Sequence, residues 1–240
     1  MKLTGTVALV TGAGRGLGKE IARQLAERGV KLVLTARTES ELELTVAKVC
    51  RLTEAVALAG DVAEPAHAER LVRLARKRFG PVDILINNAS SLGPSPMPLL
   101  EAYPLDALHD VLRVNVVAPL HLAQLVLPEM KARGDGLILN VSSDAAVEAY
   151  PTWGGYGASK AALEHLSRVL AAELEGTGVR VFVVDPGDMN TRMHQEAEPD
   201  VDLSHLPDPT AVAPAAVRII EDSDERFGRF QAQRLPAAIA

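Results

Sequence analysis

Short, almost wholly apolar runs alternate along the chain with longer stretches in which apolar positions recur at helical spacing. The short runs are TVALVTG, KLVLTA, AVALAG, VDILINN, GLILNVSS and VRVFVVDPG. Each has strand length, is rich in Val, Leu and Ile, and lacks the apolar–polar alternation of a half-exposed strand. That is the pattern of strands covered on both faces, which occur in parallel sheets. The intervening stretches read as helices. In TESELELTVAKV, Thr38 and Glu41 have the spacing of a capping box. EPAHAERLVRLARKRFG opens with an acid and a proline and closes with basic residues and glycine, as helix ends favour. A repeated β-α order with right-handed crossovers predicts an α/β fold: one doubly wound parallel sheet with helices on both faces, spanning 1–240 as a single domain. RFQAQRL, near the end, is expected to be a seventh strand. The one long irregular stretch, 188–209, is polar, acidic and proline-containing, and is expected to be a lid over a site.

Composition narrows the class. With 48% hydrophobic and 23% charged residues the chain is globular. Aromatics are only 3%, so the core must be built from Ala, Val and Leu. A net charge of −6, with both signs interspersed, argues against nucleic acid as a partner. The single cysteine, Cys50, excludes an intrachain disulfide and is expected as a buried thiol in a helix. No His, Cys or acid grouping has metal-ligand spacing, so no metal site is expected. The most apolar stretch, VNVVAPLHLAQLVLPEM, is interrupted by Asn115, His121, Gln124 and two prolines, so no membrane span is expected. Strand-like residues follow MKLTG at once, and the expected location is cytoplasmic.

VTGAGRGLGKEIARQL joins the first strand to the first helix, with glycines at 12, 14, 16 and 18. Such a turn brings backbone N–H groups and a helix N-terminus onto a pyrophosphate. Its spacing, from Thr11 to Gly18, is T-G-x-x-x-G-x-G, with Leu17 and Lys19 at the third-glycine positions of the G-x-G-x-x-G frames. No G-K-[ST] follows, so it is not a P-loop. An NAD site usually has an acid at the end of the second strand. Here Ala36 stands there and Arg37 follows, with Arg15 inside the turn. Two guanidinium groups suit a ribose 2′-phosphate, which favours NADP(H) over NAD(H).

SSDAAVEAYPTWGGYGASK offers three serines, two tyrosines and a lysine. Tyr156 and Lys160 are four apart and share one face of a helix, whereas Tyr150 has Gly154 at that spacing. A nearby ammonium favours phenolate, so Tyr156 is expected to have a lowered pKa and to serve as a general acid or base. Ser142 and Ser143 end a strand, so one of them must face the other way.

Together these motifs resemble the short-chain dehydrogenase/reductase family, with its Rossmann-like fold, over roughly Thr4 to Met193. In order they are TGAGRGLG, GDV at 60–62, NNA at 87–89, Asn115 before a long helix, NVSS at 140–143, YGASK at 156–160 and DPGDMNT at 185–191. The resemblance implies an NADP-dependent oxidoreductase that passes a hydride between NADP(H) and a carbonyl or alcohol. Its catalytic set would be Ser143, Tyr156, Lys160 and Asn115. Ser143 is selected because the family's serine precedes the tyrosine by about thirteen residues, and Asn115 would hold a water that relays protons to Lys160. The cofactor-binding set would be Thr11, Gly12, Gly14, Arg15, Gly16, Leu17, Gly18, Arg37, Asp61, Val62, Asn88, Ala89, Tyr156, Lys160, Pro186, Gly187, Met189 and Thr191. The family usually has Gly after NNA, and here Ser90 stands there.

The substrate walls are expected from SSLGPSPMPLL, the Ala149–Trp153 turn and the lid. Tyr150 and Trp153 suit either stacking on a flat substrate or packing at the helix entry. Ser159 is expected to fill space. Glu196, Glu198, Asp200 and Asp202 disfavour an anionic substrate. A homodimer or homotetramer is expected, packed through the small-residue face Gly157, Ala158, Ala161 and Ala162, although the C-terminus lacks the family's usual close. The rival reading is a non-catalytic NADP(H)-binding regulator with the same fold.

Overall fold

The computed structural model describes residues 1–235. Seven strands form one parallel sheet: β1 (Val7–Thr11), β2 (Lys31–Thr35), β3 (Ala55–Ala57), β4 (Ile84–Asn87), β5 (Gly136–Val141), β6 (Val179–Asp185) and β7 (Phe227–Gln231), in the order β3-β2-β1-β4-β5-β6-β7. The chain order reverses between β1 and β4, which opens a crevice at their carboxyl ends. Every position of β1, β4 and β5 is buried, as the unbroken apolar runs require.

Among the described residues eight helices cover the sheet: α1 (Gly16–Glu27), α2 (Glu39–Val49), α3 (Pro65–Arg78), α4 (Leu105–Leu112), α5 (Ala118–Arg133), α6 (Gly154–Glu173), α7 (Arg192–Ala197) and α8 (Pro209–Asp222). Alternate strand residues enter opposite layers. Ala8 and Val10 of β1 join Ile21 and Leu25 of α1 and Ile220 of α8, whereas Val7 and Leu9 join Leu71 of α3, Leu122 of α5 and Leu174 just past α6. Two cores on one sheet are what a doubly wound arrangement provides.

Several local expectations need correction. Thr38 does precede α2, but its side chain makes no cap bond, and Glu41 turns to Arg15 rather than back to the helix start. Cys50 ends α2 and is exposed rather than buried. The seventh strand begins two residues earlier than RFQAQRL and stops at Gln231, where a 3-10 turn takes over. Pro119 and Pro128 do not interrupt the helical path from Leu105 to Arg133, which by length and composition alone would suffice to cross a membrane. That path packs against α3, β4, β5 and α6. Gly157 is buried against the Ala145 carbonyl, where a Cβ would come within 2.6 Å, so it faces its own chain and is no part of an outward small-residue face. The 188–209 stretch holds the one short helix α7, entered through the Thr191 side chain, which accepts from the His194 N–H at 3.1 Å.

Candidate active site

The switch-point crevice is a cleft of about 820 Å3 that runs from the glycine turn to the 188–209 segment. At one end, α1 starts at Gly16 behind Arg15, which provides no side-chain cap, so the first N–H groups of the helix remain available to an anion. The turn is pressed against β4. Asn88 Nδ2 donates to the carbonyls of Thr11 and Gly12 at 3.0 and 3.2 Å. A Cβ on Gly18 would lie 2.3 Å from that nitrogen and 2.4 Å from the Gly12 oxygen. The Thr11 hydroxyl accepts from the N–H groups of Asn88 and Ala89, both at 3.0 Å. The backbone is thereby shaped for close approach of a phosphate, which fits a dinucleotide. Arg37 lines the cleft just past β2 and has no hydrogen-bond or ionic partner among the described residues. Arg15 Nη1 lies 3.5 Å from the Glu41 carboxylate.

At the other end stands α6. Tyr156 and Lys160 occupy successive turns and are both buried, with the Lys160 Nζ 5.5 Å from the Tyr156 ring centroid. Nζ donates to the Val141 carbonyl at 2.8 Å. Burial pushes the lysine pKa down to about 8, with Glu164 one turn further on acting to raise it. The expected lowering of the Tyr156 pKa is not found: burial raises it, and the hydroxyls of Ser143 and Ser90 oppose that rise. Desolvation of the phenolate outweighs the two hydroxyls, and the charges of Asp144 and Asp185 add to the rise.

The two strand-end serines part as the alternation requires. Ser143 faces the cleft, where its hydroxyl donates to Asp144 Oδ1 at 2.9 Å. Ser142 is buried and donates to Glu164 Oε1 at 2.6 Å. Asn115 sits in a π-type turn, Arg113–Val117, between α4 and α5. Its amide donates to the Ser91 carbonyl at 2.9 Å and the Ser159 hydroxyl at 2.8 Å. Its oxygen accepts from the Ser91 N–H at 2.8 Å and the Ser90 hydroxyl at 3.1 Å. Asn115 therefore fixes the post-β4 loop onto α6. Ser159, expected as mere filler, is the other half of that tie and also donates to the Tyr156 carbonyl at 2.6 Å.

Most of the residues singled out from the sequence share this one cleft: Gly12, Gly14, Arg15, Gly16, Leu17, Arg37, Asp61, Val62, Asn88 and Ala89 on one side, and Ser143, Tyr156, Lys160, Pro186, Gly187, Met189 and Thr191 on the other. Thr11, Gly18 and Asn115 lie behind its wall, where they hold it in shape. Sequence reasoning took Glu41 only as a capping residue and missed Glu164, Arg229 and the role of Ser90. Ser90 alone had a signal, as the departure from the usual glycine.

A crevice at a sheet switch point, with an anion-ready glycine turn and a buried Tyr–Lys pair, is that of a nucleotide-binding oxidoreductase. A short chain dehydrogenase family model matches residues 6–202, and the chain belongs to that family. Members bind nicotinamide cofactors, act on small molecules and often form oligomers. A short chain dehydrogenase of Pseudocercospora fijiensis is 36% identical over 193 residues, covering 80% of this chain, which spans 62% of that relative. The structure of a short chain dehydrogenase from Pseudomonas syringae, itself described as putative, matches with a TM-score of 0.89 and 32% identity, over 97% of this chain and 96% of that one. An alcohol dehydrogenase of Thermococcus sibiricus, solved with 5-hydroxy-NADP, matches with a TM-score of 0.83 and 28% identity, over 97% and 99% of the two chains.

Proposed function

We propose that the protein transfers a hydride between NADP(H) and a carbonyl or alcohol carbon. The observation that carries this reading is the convergence of Tyr156, Lys160 and Ser143 on the cleft whose other end is the glycine turn. Bound nicotinamide would supply or accept the hydride at its ring. The Tyr156 hydroxyl gives a proton to the reduced oxygen, or takes it in the reverse direction, and the Ser143 hydroxyl donates to the same oxygen. To do so Ser143 turns its proton away from Asp144 Oδ1. Lys160 supports the phenolate and would hold the ribose of a bound cofactor. Asn115 positions Ser90, Ser91 and α6 around the phenol and joins the proton path to Lys160.

The preference for NADP(H) rests on Arg37, which has no partner among the described residues and follows β2 where an NAD site would hold an acid, and on Arg15 in the glycine turn. The solved alcohol dehydrogenase with 5-hydroxy-NADP supports the same choice. The 188–209 segment closes the substrate side as a lid, because Thr191, Arg192, Met193 and His194 all face the cleft.

The test is NADPH oxidation with a panel of aldehydes, ketones and quinones, using wild type and Tyr156→Phe. Wild type should turn over at least one class. The variant should bind NADPH normally and lose roughly 100-fold or more in kcat. Near wild-type turnover in the variant would remove Tyr156 from the chemistry.

A further inference from the structure

Beyond the Tyr156 phenol, on the side away from the glycine turn, the cleft wall changes character. Leu92, Ala145, Trp153 and Met193 line it, and they pack with Met97, Ala197 and Tyr156 as one apolar cluster. Trp153 is the centre of an aromatic group. Its ring stands edge-on to Tyr156 at 5.7 Å, to Tyr150 at 6.5 Å and to His194 at 6.4 Å. Edge-to-face neighbours fix the orientation of the indole, so this side of the cleft is a rigid apolar surface.

The charges at this end are all of one kind or already committed. Of the Lys and Arg side chains on the cleft, Arg15, Lys19 and Arg37 belong to the glycine-turn end. Lys160 is buried and donates to the Val141 carbonyl. Arg192 is held by Glu196 at 2.8 Å, and His194 Nε2 lies 3.4 Å from Glu198. Asp144, Asp188, Glu196 and Glu198 line the same end. Among the described residues no uncommitted cation there is placed to take a carboxylate or a phosphate. An anionic substrate would lose its hydration and meet like charge. Among the described residues only Asp188 of these acids lacks a side-chain partner, and the other three are already engaged. Asp144 already accepts from Ser143, Ala145 and Tyr150, at 2.9, 2.8 and 2.8 Å, and Glu196 and Glu198 have their partners above.

We propose that the substrate is an uncharged ketone carrying an apolar ring, or the matching secondary alcohol, with the ring held against Trp153, and that carboxylated and phosphorylated carbonyl compounds are excluded. This rests on the oxidoreductase reading above. It adds to it a pocket chemistry that the catalytic residues do not dictate.

Trp153 is the only tryptophan in the chain, so its fluorescence reports ring binding independently of turnover. The experiment uses the full-length protein and three aryl ketones of similar shape: 4′-methylacetophenone, its 4-carboxylate counterpart and its 4-trimethylammonium counterpart. Binding to the protein with NADP⁺ is read from Trp153 fluorescence, and kcat/KM is read with NADPH. The neutral ketone should bind and exceed the carboxylate in kcat/KM by on the order of 100-fold. In Trp153→Ala the neutral ketone should lose roughly tenfold in kcat/KM, mainly through KM. Equal or better use of the carboxylate overturns the proposal, as does preference for the ammonium compound or indifference to Trp153→Ala. Turnover with the wrong charge preference leaves the oxidoreductase reading standing. Binding of the neutral ring with no turnover of any carbonyl compound overturns that reading and supports the pocket assignment.

Discussion

Arg229 on β7 donates through Nε to both carboxylate oxygens of Glu164 on α6, each at 3.0 Å, across 65 residues of chain. Glu164 is buried one turn beyond Lys160 and also accepts from Ser142. The same guanidinium reaches the Ser143 carbonyl at 3.4 Å and the Asp185 carboxylate at 3.6 Å. One side chain from the last strand therefore ties together the shoulders that present Ser143, Lys160 and the Pro186–Gly187 turn. Arg229→Met leaves a buried carboxylate without its cation and is expected to cost about 3 kcal/mol of stability. Glu164→Gln with Arg229→Met should recover much of it. Urea denaturation of the four proteins checks this, and additive losses would mean that the two residues act separately.

Lys160 has a depressed pKa of about 8 because it is buried, with Glu164 partly compensating; Glu164 in turn is paired with Arg229, and Tyr156 lies one turn before it, its ring centroid 5.5 Å from Nζ. From about pH 8 to roughly 10.4 the unfolded chain holds the lysine proton that the folded chain has released. Stability from this group therefore rises with pH through that window and is lost as pH falls through about 8. Relative to Lys160→Met, the cofactor-free wild type should gain stability between pH 7 and pH 9.5. A constant difference across that range would contradict the depressed value.

Arg37 lines the cleft just past β2 and has no partner among the described residues, and the proposed NADP(H) preference assigns it to the 2′-phosphate. Arg37→Asp should lower the NADPH/NADH ratio of kcat/KM by roughly tenfold to 100-fold, as expected for loss of a charge-assisted contact. If that ratio does not move, the assigned cofactor preference is wrong.

Gly18 has no room for a methyl group, since a Cβ would lie 2.4 Å from the Gly12 carbonyl oxygen. Gly18→Ala should cost about 1–3 kcal/mol through overpacking and weaken NADPH binding, because the turn must move off Asn88. Calorimetric titration with a parallel thermal melt separates the two effects. Unaltered affinity would show that the turn tolerates the shift.

Periodicity and spacing along the sequence determined the parallel sheet, the glycine turn and the Tyr156–Lys160 face. Each is local: fully apolar strand runs need cover on both sides, glycines admit a phosphate to the backbone, and a four-residue step is one helical turn. Tertiary structure alone decided how Glu41, Glu164 and Arg229 are paired, that Asn115 works with Ser90, Ser91 and Ser159, and that Cys50 is exposed. It also reversed the expected Tyr156 shift, because the cost of desolvating a phenolate depends on everything packed around it and not on the lysine four residues away. Contacts between distant segments leave no period in the sequence, and the substrate end of the cleft is assembled almost wholly from them.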